Sequence, residues 1–198
     1  MNIAILTFEG FNELDSFIAA SIMNRMKEFG WNVQITCPSE SVTSMNGVTI
    51  LAQQPLEFAN SADAVLFGSG LQTRDISQDL SILNRLSLNP DKQLIGGQCS
   101  GTLLLSVLGL LNDVPACTDL TTKPWVIESG VDVLNQSFFA KGNIATAGGC
   151  LASQYLATWV ISKLADKSAA ESAIHYVAPV GEKDETVKHC LSVVSKYL

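Results

Sequence analysis

Residues 94–102 read Leu-Ile-Gly-Gly-Gln-Cys-Ser-Gly-Thr, and the apolar run LLLSVLGLL follows directly at 103–111. A short buried strand runs into a glycine pair, and a helix starts just past a cysteine. The pattern Gly97-x-Cys99-x-Gly101 has the form of a nucleophile elbow, a sharp strand-to-helix turn. A side chain at the apex projects away from the sheet, and small neighbours let the strained turn close. A helix N-terminus beside the sulfur favours the thiolate, the reactive form. The bland alternative is a small buried hydrophobe in a strand–helix turn. Glycine at both −2 and +2 favours the chemical reading.

The neighbouring segments fit that turn. Asn2–Phe8 reads as a buried strand, and helical spacing follows from Leu14 to Phe29, closed by Gly30. Trp31–Cys37 and Ala64–Phe67 read as further strands. Val42–Ala52 carries Asn46-Gly47 between β-branched residues, the signal of a hairpin. Asp75–Leu88 reads as a helix with Pro90 beyond it, and Gln93–Gly96 as the strand into the elbow. A second hairpin is expected over Val131–Ala147, turning at Lys141-Gly142-Asn143. Cys150–Leu164 and Glu182–Leu198 read as helices. Strands alternating with helices predict an α/β domain on a mostly parallel sheet, one domain over residues 1–198. Ligands in such sheets sit beyond the carboxyl ends of the strands, which singles out the loops after Phe8 and Phe67 and the turn at Cys99.

Composition narrows the function classes. The net charge is −7 and no cluster of Lys and Arg stands out, which argues against nucleic-acid binding by this chain alone. No apolar run approaches the ~18 residues of a membrane span, and the N-terminus lacks a signal-peptide pattern. A cytoplasmic protein without a membrane partner is expected. The five cysteines are odd in number and widely spaced, with no CxxC, against both a disulfide framework and a zinc site. No metal and no cofactor are therefore expected.

Partners for Cys99 follow from position. Asp15 lies past the first strand, on a helical face shared with Ile18 and Ile22, so its carboxylate leans inward. There it can hold a proton and exchange it with a thiol, donating to the thiolate while protonated. Equally, Asn12 can be an N-cap with Asp15 in the first turn, a plain capping arrangement. His175 has no Glu two residues on, so a Cys-His-Glu set is absent, although His175 could fold back toward the site. Cys150, after Gly148-Gly149, lacks Gly at +2 and is followed by bulky Leu151; it reads as an accessory thiol near the site. The loop Gly68-Ser69-Gly70-Leu71 lacks the third glycine of a dinucleotide fingerprint. It is either a tight turn or a source of backbone N–H groups, at Gly70 and Leu71, for an oxyanion.

These residues together resemble a family. FEGFNELD at 8–15, FGSG at 67–70, the elbow at 96–111 and KGNIATAGG at 141–149 look like the ThiJ/PfpI superfamily, relatives of the class I glutamine amidotransferases. The resemblance implies a flavodoxin-like three-layer sandwich and is nearest to isonitrile hydratase and the amidase-like domains of AraC-type regulators. It implies Cys99 as nucleophile, Asp15 as proton donor and acceptor, and a catalytic hydroxyl at Ser100, where that branch has Thr. It also implies a small-molecule substrate and a homodimer with the site near the subunit interface. Glyoxalase or deglycase chemistry on small dicarbonyls is the other enzyme reading. A cysteine-based oxidative-stress sensor or ligand-binding regulator is the non-enzyme reading. A regulator role is expected to need a partner, as no helix-turn-helix domain is read after residue 198. Two departures stand out. Ser100 replaces the His of the protease-like branch, and Ala116–Leu120 reads Ala-Cys-Thr-Asp-Leu where the hydratase branch has Ala-Thr-Thr-His-Trp, so that Asp119 stands at the position of the His.

Overall fold

The computed structural model describes residues 1–198. The chain starts with β1 (Asn2–Leu6), α1 (Glu13–Met23) and a 3₁₀ turn to Phe29, closed by Gly30 in the left-handed conformation at φ 78°. Strand β2 (Asn32–Cys37) follows, then the hairpin of β3 (Ser41–Thr43) and β4 (Thr49–Leu51) about Asn46-Gly47. Next come β5 (Gln54–Pro55), β6 (Ala64–Phe67), α2 (Thr73–Ile76) and α3 (Leu80–Leu83). The elbow joins β7 (Leu94–Gln98) to α4 (Gly101–Val107), and α5 (Lys123–Glu128) follows. The chain ends with β8 (Phe138–Lys141), β9 (Ile144–Ala147), α6 (Ser153–Leu164), α7 (Lys167–Val177) and α8 (Lys183–Val194).

Seven strands form one sheet in the order β5-β2-β1-β6-β7-β9-β8. Every neighbouring pair is parallel except β8 with β9. Alternation along the strands divides the core into two layers. Ile3 and Ile5 of β1 pack with Met23 of α1 and Leu156 and Trp159 of α6. Ala4 and Leu6 face the other way, against Leu104 and Leu105 of α4. Helices therefore cover both faces, as the flavodoxin-like expectation requires. No helix is long and apolar enough to cross a membrane.

The sequence turns its order around β1, with β2 on one side and β6 on the other. Such a reversal opens a crevice at the carboxyl ends of the strands. The loops after β1, β6, β7 and β9 all end there.

Three expectations change. Asp75–Leu88 is not one helix: α2 and α3 are four residues each. Asp79 separates them, its carboxylate accepting from Ser81 N at 2.9 Å as the cap of α3. The hairpin expected from Val131 is paired only over Phe138–Ala147. The terminal helices are also shorter than expected, because Cys150–Ala152 and Ser195–Tyr197 are 3₁₀ turns.

Candidate active site

Cys99 adopts φ 47°, a left-handed backbone that costs a non-glycine residue energy and turns its side chain out of the strand line. The small neighbours are required by space. A Cβ at Gly101 would lie 2.5 Å from Phe67 O, and one at Gly97 would lie 3.0 Å from Thr102 Cα. The elbow is held by Cys99 N–H donating to Ala147 O at 2.8 Å and by Thr118 Oγ1 donating to Cys99 O at 2.7 Å.

Asp15 comes to the same place from β1. Asn12 caps α1, its Oδ1 accepting from Leu14 N at 3.1 Å. Asn12 is thus the N-cap with Asp15 in the first turn, as the capping reading expects, while the Asp15 carboxylate also turns inward and is 2 % exposed. Ser69 Oγ donates to Asp15 Oδ2 at 2.5 Å, and Asp15 Oδ1 has no hydrogen-bond partner. A carboxylate oxygen of Asp15, Cys99 Sγ and Cys150 Sγ all lie within 4.8 Å of one another. The three line a pocket of about 300 Å³, together with Ser69, Ser100 and Trp125 among others.

The electrostatics reverse one expectation. Burial first, and the negative charge of Asp15 second, push the Cys99 thiol far above its ordinary range. A hydrogen bond from Gln98 Nε2 to Cys99 Sγ at 3.3 Å opposes this but is the weaker effect. Burial therefore works against the thiolate that the helix N-terminus was expected to favour. A helix of seven residues does not outweigh the loss of solvation. Burial also raises the Cys150 thiol, while a contact from Asn12 Nδ2 at 3.3 Å lowers it.

The other expected residues occupy distinct places. Ser100 lines the pocket, but its Oγ accepts from Gly70 N at 3.1 Å and lies 2.8 Å from Thr73 Oγ1. Its hydroxyl ties the elbow to the loop after β6. Gly70 and Leu71 also line the pocket, and the oxyanion expectation for them is corrected. Gly70 N–H is taken by Ser100, and Leu71 N–H donates to Gly10 O at 2.9 Å. Asp119 reaches the pocket wall, with its Oδ1 capping the turn into α5 through Thr121 N and Thr122 N, both at 2.9 Å. His175 does not fold back: it lies exposed on α7, 4.0 Å from Asp184. Glu13 binds Ser44 and Asn46 outside the pocket.

Sequence reasoning missed the side chain of Ser69, which it treated only as part of a loop. It also missed the Gln98 amide, which joins the two thiol-bearing turns by donating to Gly149 O at 2.8 Å. A hydroxyl between two glycines at a strand end was the available signal for Ser69. Nothing in the pattern marked Gln98.

Comparisons with known proteins bear on the fold and the family. No curated protein matches the chain. Among solved structures, a THiJ/PfpI family protein from Pseudomonas syringae superposes with a TM-score of 0.77 at 20 % identity, covering 99 % of this chain and 86 % of its own. Schizosaccharomyces pombe DJ-1 gives 0.74 at 15 % identity, over 90 % of this chain and 100 % of its own. Drosophila melanogaster DJ-1beta gives 0.76 at 19 %, over 89 % and 96 %. At these identities the likeness speaks for the fold. The profile of the DJ-1/PfpI family matches residues 1–163, and the chain belongs to that family.

Proposed function

We propose that the protein is a cysteine-dependent hydratase of small uncharged electrophiles, with an isonitrile as the substrate class that fits best. The observation that supports it most is Asp15, a carboxylate 2 % exposed with one oxygen unpartnered, beside Cys99 in a pocket of about 300 Å³. No Lys, Arg or His lines that pocket. An anionic substrate would meet Asp15 and Asp119 with no cation in the lining, the nearby Arg74 guanidinium being stacked on Trp125, and desolvating it there would be costly. A neutral isonitrile carries no such penalty.

The reaction needs one nucleophile and one group that moves protons. Cys99 Sγ bonds to the terminal carbon of R–NC, and the thiol proton passes through the Asp15 carboxylate to that same carbon. The adduct is the thioimidate R–N=CH–S–Cys99. Water then adds to the carbon while one of its protons passes through Asp15 to the nitrogen, giving R–NH–CH(OH)–S–Cys99. The C–S bond breaks as the remaining hydroxyl proton passes through Asp15 to the sulfur and the C=O forms. The product R–NH–CHO equals the isonitrile plus water, with no change in redox state and no cofactor consumed. Ser69 holds Asp15 in place, and Ser100 positions the elbow.

The reading includes a cytoplasmic homodimer. Leu14 and Leu151, 50 % and 68 % exposed, flank a groove on the outer face of α1 that a second copy could cover. Sedimentation at micromolar concentration tests the dimer separately from activity.

The deciding experiment incubates wild type and Cys99→Ala with an alkyl isonitrile and measures the N-alkylformamide by mass spectrometry. Formamide from wild type alone supports the reading. Turnover of methylglyoxal without turnover of the isonitrile would move it to dicarbonyl chemistry. No turnover of either would remove the enzyme reading for these substrates.

A further inference from the structure

We propose that Cys99 and Cys150 are a reactive thiol and its resolving partner, so that the pocket also reduces a small hydroperoxide and stores the result as a Cys99–Cys150 disulfide. Isonitrile hydration needs one thiol, and the second has no part in it.

Cys150 is 51 positions from Cys99 in the chain, yet the two sulfurs lie within 4.8 Å of each other. The juxtaposition is built by the sheet. Strands β7 and β9 are parallel neighbours with Gln98 paired to Ala147, so the turns leaving them start side by side. Cys99 N–H to Ala147 O and Gln98 Nε2 to Gly149 O, both at 2.8 Å, bind the two turns together. Ser153 Oγ, 2.9 Å from Cys150 O and 3.5 Å from Asp15 O, fixes the far side of the Cys150 turn. Both sulfurs face the pocket that a small oxidant would enter.

Closing the gap to an S–S bond of about 2.05 Å takes a movement of under ~3 Å, the scale of one χ1 rotation. Cys150 has freedom to make it. Its sulfur meets Asn12 Nδ2 at 3.3 Å and otherwise the Asp15 and Cys99 side chains that the reaction itself uses. The preceding Gly149 sits at φ 93° with no heavy atom within 4 Å of where a Cβ would be. The other thiols do not compete, since Cys37, Cys117 and Cys190 are buried away from the pocket.

The unpartnered oxygen of Asp15 serves both steps. In the first, Cys99 Sγ attacks the distal oxygen of R–OOH and the O–O bond breaks. The thiol proton passes through Asp15 to the alkoxide, which leaves as R–OH, and Cys99 becomes a sulfenic acid. In the second, Cys150 Sγ attacks the Cys99 sulfur, the S–OH bond breaks, and the Cys150 proton joins the hydroxide as water. Two thiols and one hydroperoxide thus give one disulfide, one alcohol and one water. A small dithiol such as dithiothreitol restores the starting state.

The test treats the reduced full-length protein with a several-fold molar excess of hydrogen peroxide, blocks remaining thiols under denaturing conditions, and reads intact mass and non-reduced peptides. Wild type is expected to lose two hydrogens and to yield a peptide pair joined through Cys99 and Cys150, reversed by dithiothreitol. Cys150→Ser is expected to over-oxidise instead, with the Cys99 sulfinic acid at least ~10-fold more abundant than in wild type. Sulfinic acid as the main wild-type product, a bond to any other cysteine, or equal over-oxidation of the two proteins would overturn the proposal. The linked peptide is read on wild type, so a misfolded variant does not obscure it. None of these masses depends on isonitrile turnover, so the two proposals fail separately.

Discussion

Ser69 Oγ lies 2.5 Å from Asp15 Oδ2, a hydroxyl from the loop after β6 holding a carboxylate from α1. This contact orients the one buried charge of the pocket and leaves its other oxygen free. A hydrogen bond to a charged group is worth ~1.5–3 kcal/mol. Ser69→Ala should therefore lower kcat by ~10–100-fold with KM little changed, because the substrate meets Cys99 and the pocket walls, not the hydroxyl. Ser69→Thr should restore most of the rate. A rise in KM alone would show that Ser69 shapes the pocket and does not position the carboxylate.

Asp15→Asn separates ionisation from turnover. The charge of Asp15 raises the Cys99 thiol, so removing it should let that thiol ionise at lower pH. Thiolate absorbance against pH and the rate of iodoacetamide alkylation should both report the shift. Turnover should nevertheless fall by ~10²-fold or more, because the amide cannot relay a proton. A variant that alkylates faster and turns over more slowly fits the proton relay. Wild-type behaviour in both assays would remove Asp15 from the mechanism.

Gly101→Ala tests the elbow. The added Cβ would sit 2.5 Å from Phe67 O and 2.7 Å from Gly68 O, both backbone atoms that cannot turn aside. Overpacking of this kind costs ~1–3 kcal/mol, and the end of β6 must move. We expect a lower urea midpoint together with lost Cys99 reactivity. The control is Gly130→Ala, where the glycine has open space around it at φ 90°. Its midpoint should fall by less, through backbone strain alone, with Cys99 unaffected. Equal losses in the two variants would show that the elbow has room to spare.

The fold was readable where one segment carried its own signal. Apolar runs located β1, β2, β6 and β7, and the glycines about Cys99 located the elbow. Helix α7 left a signal that went unused: Asp166, whose Oδ1 accepts from Ala169 N at 2.8 Å, stands as its N-cap before KSAAESAIHYV. Helix α5 is six residues long, too short for periodicity to mark. The site was readable in part. Cys99 and Asp15 stand at predictable strand ends, and Cys150 was anticipated as a nearby thiol. The fate of the Gly70 and Leu71 amides was not readable, because it depends on Ser100 Oγ and Gly10 O arriving from other loops. The upward push on the Cys99 thiol was not readable for a similar reason: helix position can be read along a chain, whereas the depth of burial is set by the packing of several elements.

Buried thiols also set how stability responds to pH. Burial pushes Cys117 from an ordinary 9.0 up to about 12. Cys37 and Cys190 are pushed up to about 11. Below the unfolded-state value both folded and unfolded chains keep these protons, and the thiols contribute no pH dependence. Above it the unfolded chain releases protons that the folded chain still holds, so ionisation favours unfolding and stability falls as pH rises. The loss runs from the unfolded value up to the folded one, at about 1.4 kcal/mol per pH unit for each fully responding thiol. Urea unfolding should give a nearly constant midpoint from pH 7 to 8 and a falling one above pH 9. Cys117→Ala isolates one contribution. Cys117 is fully buried, and the change removes only a sulfur atom, so the variant starts somewhat less stable at pH 7. The gap to wild type should then narrow by ~1.4 kcal/mol between pH 8 and 10, since the variant has one proton fewer to lose on unfolding. A gap that stays constant across that range would mean that Cys117 ionises alike in both states and that its burial does not hold the proton.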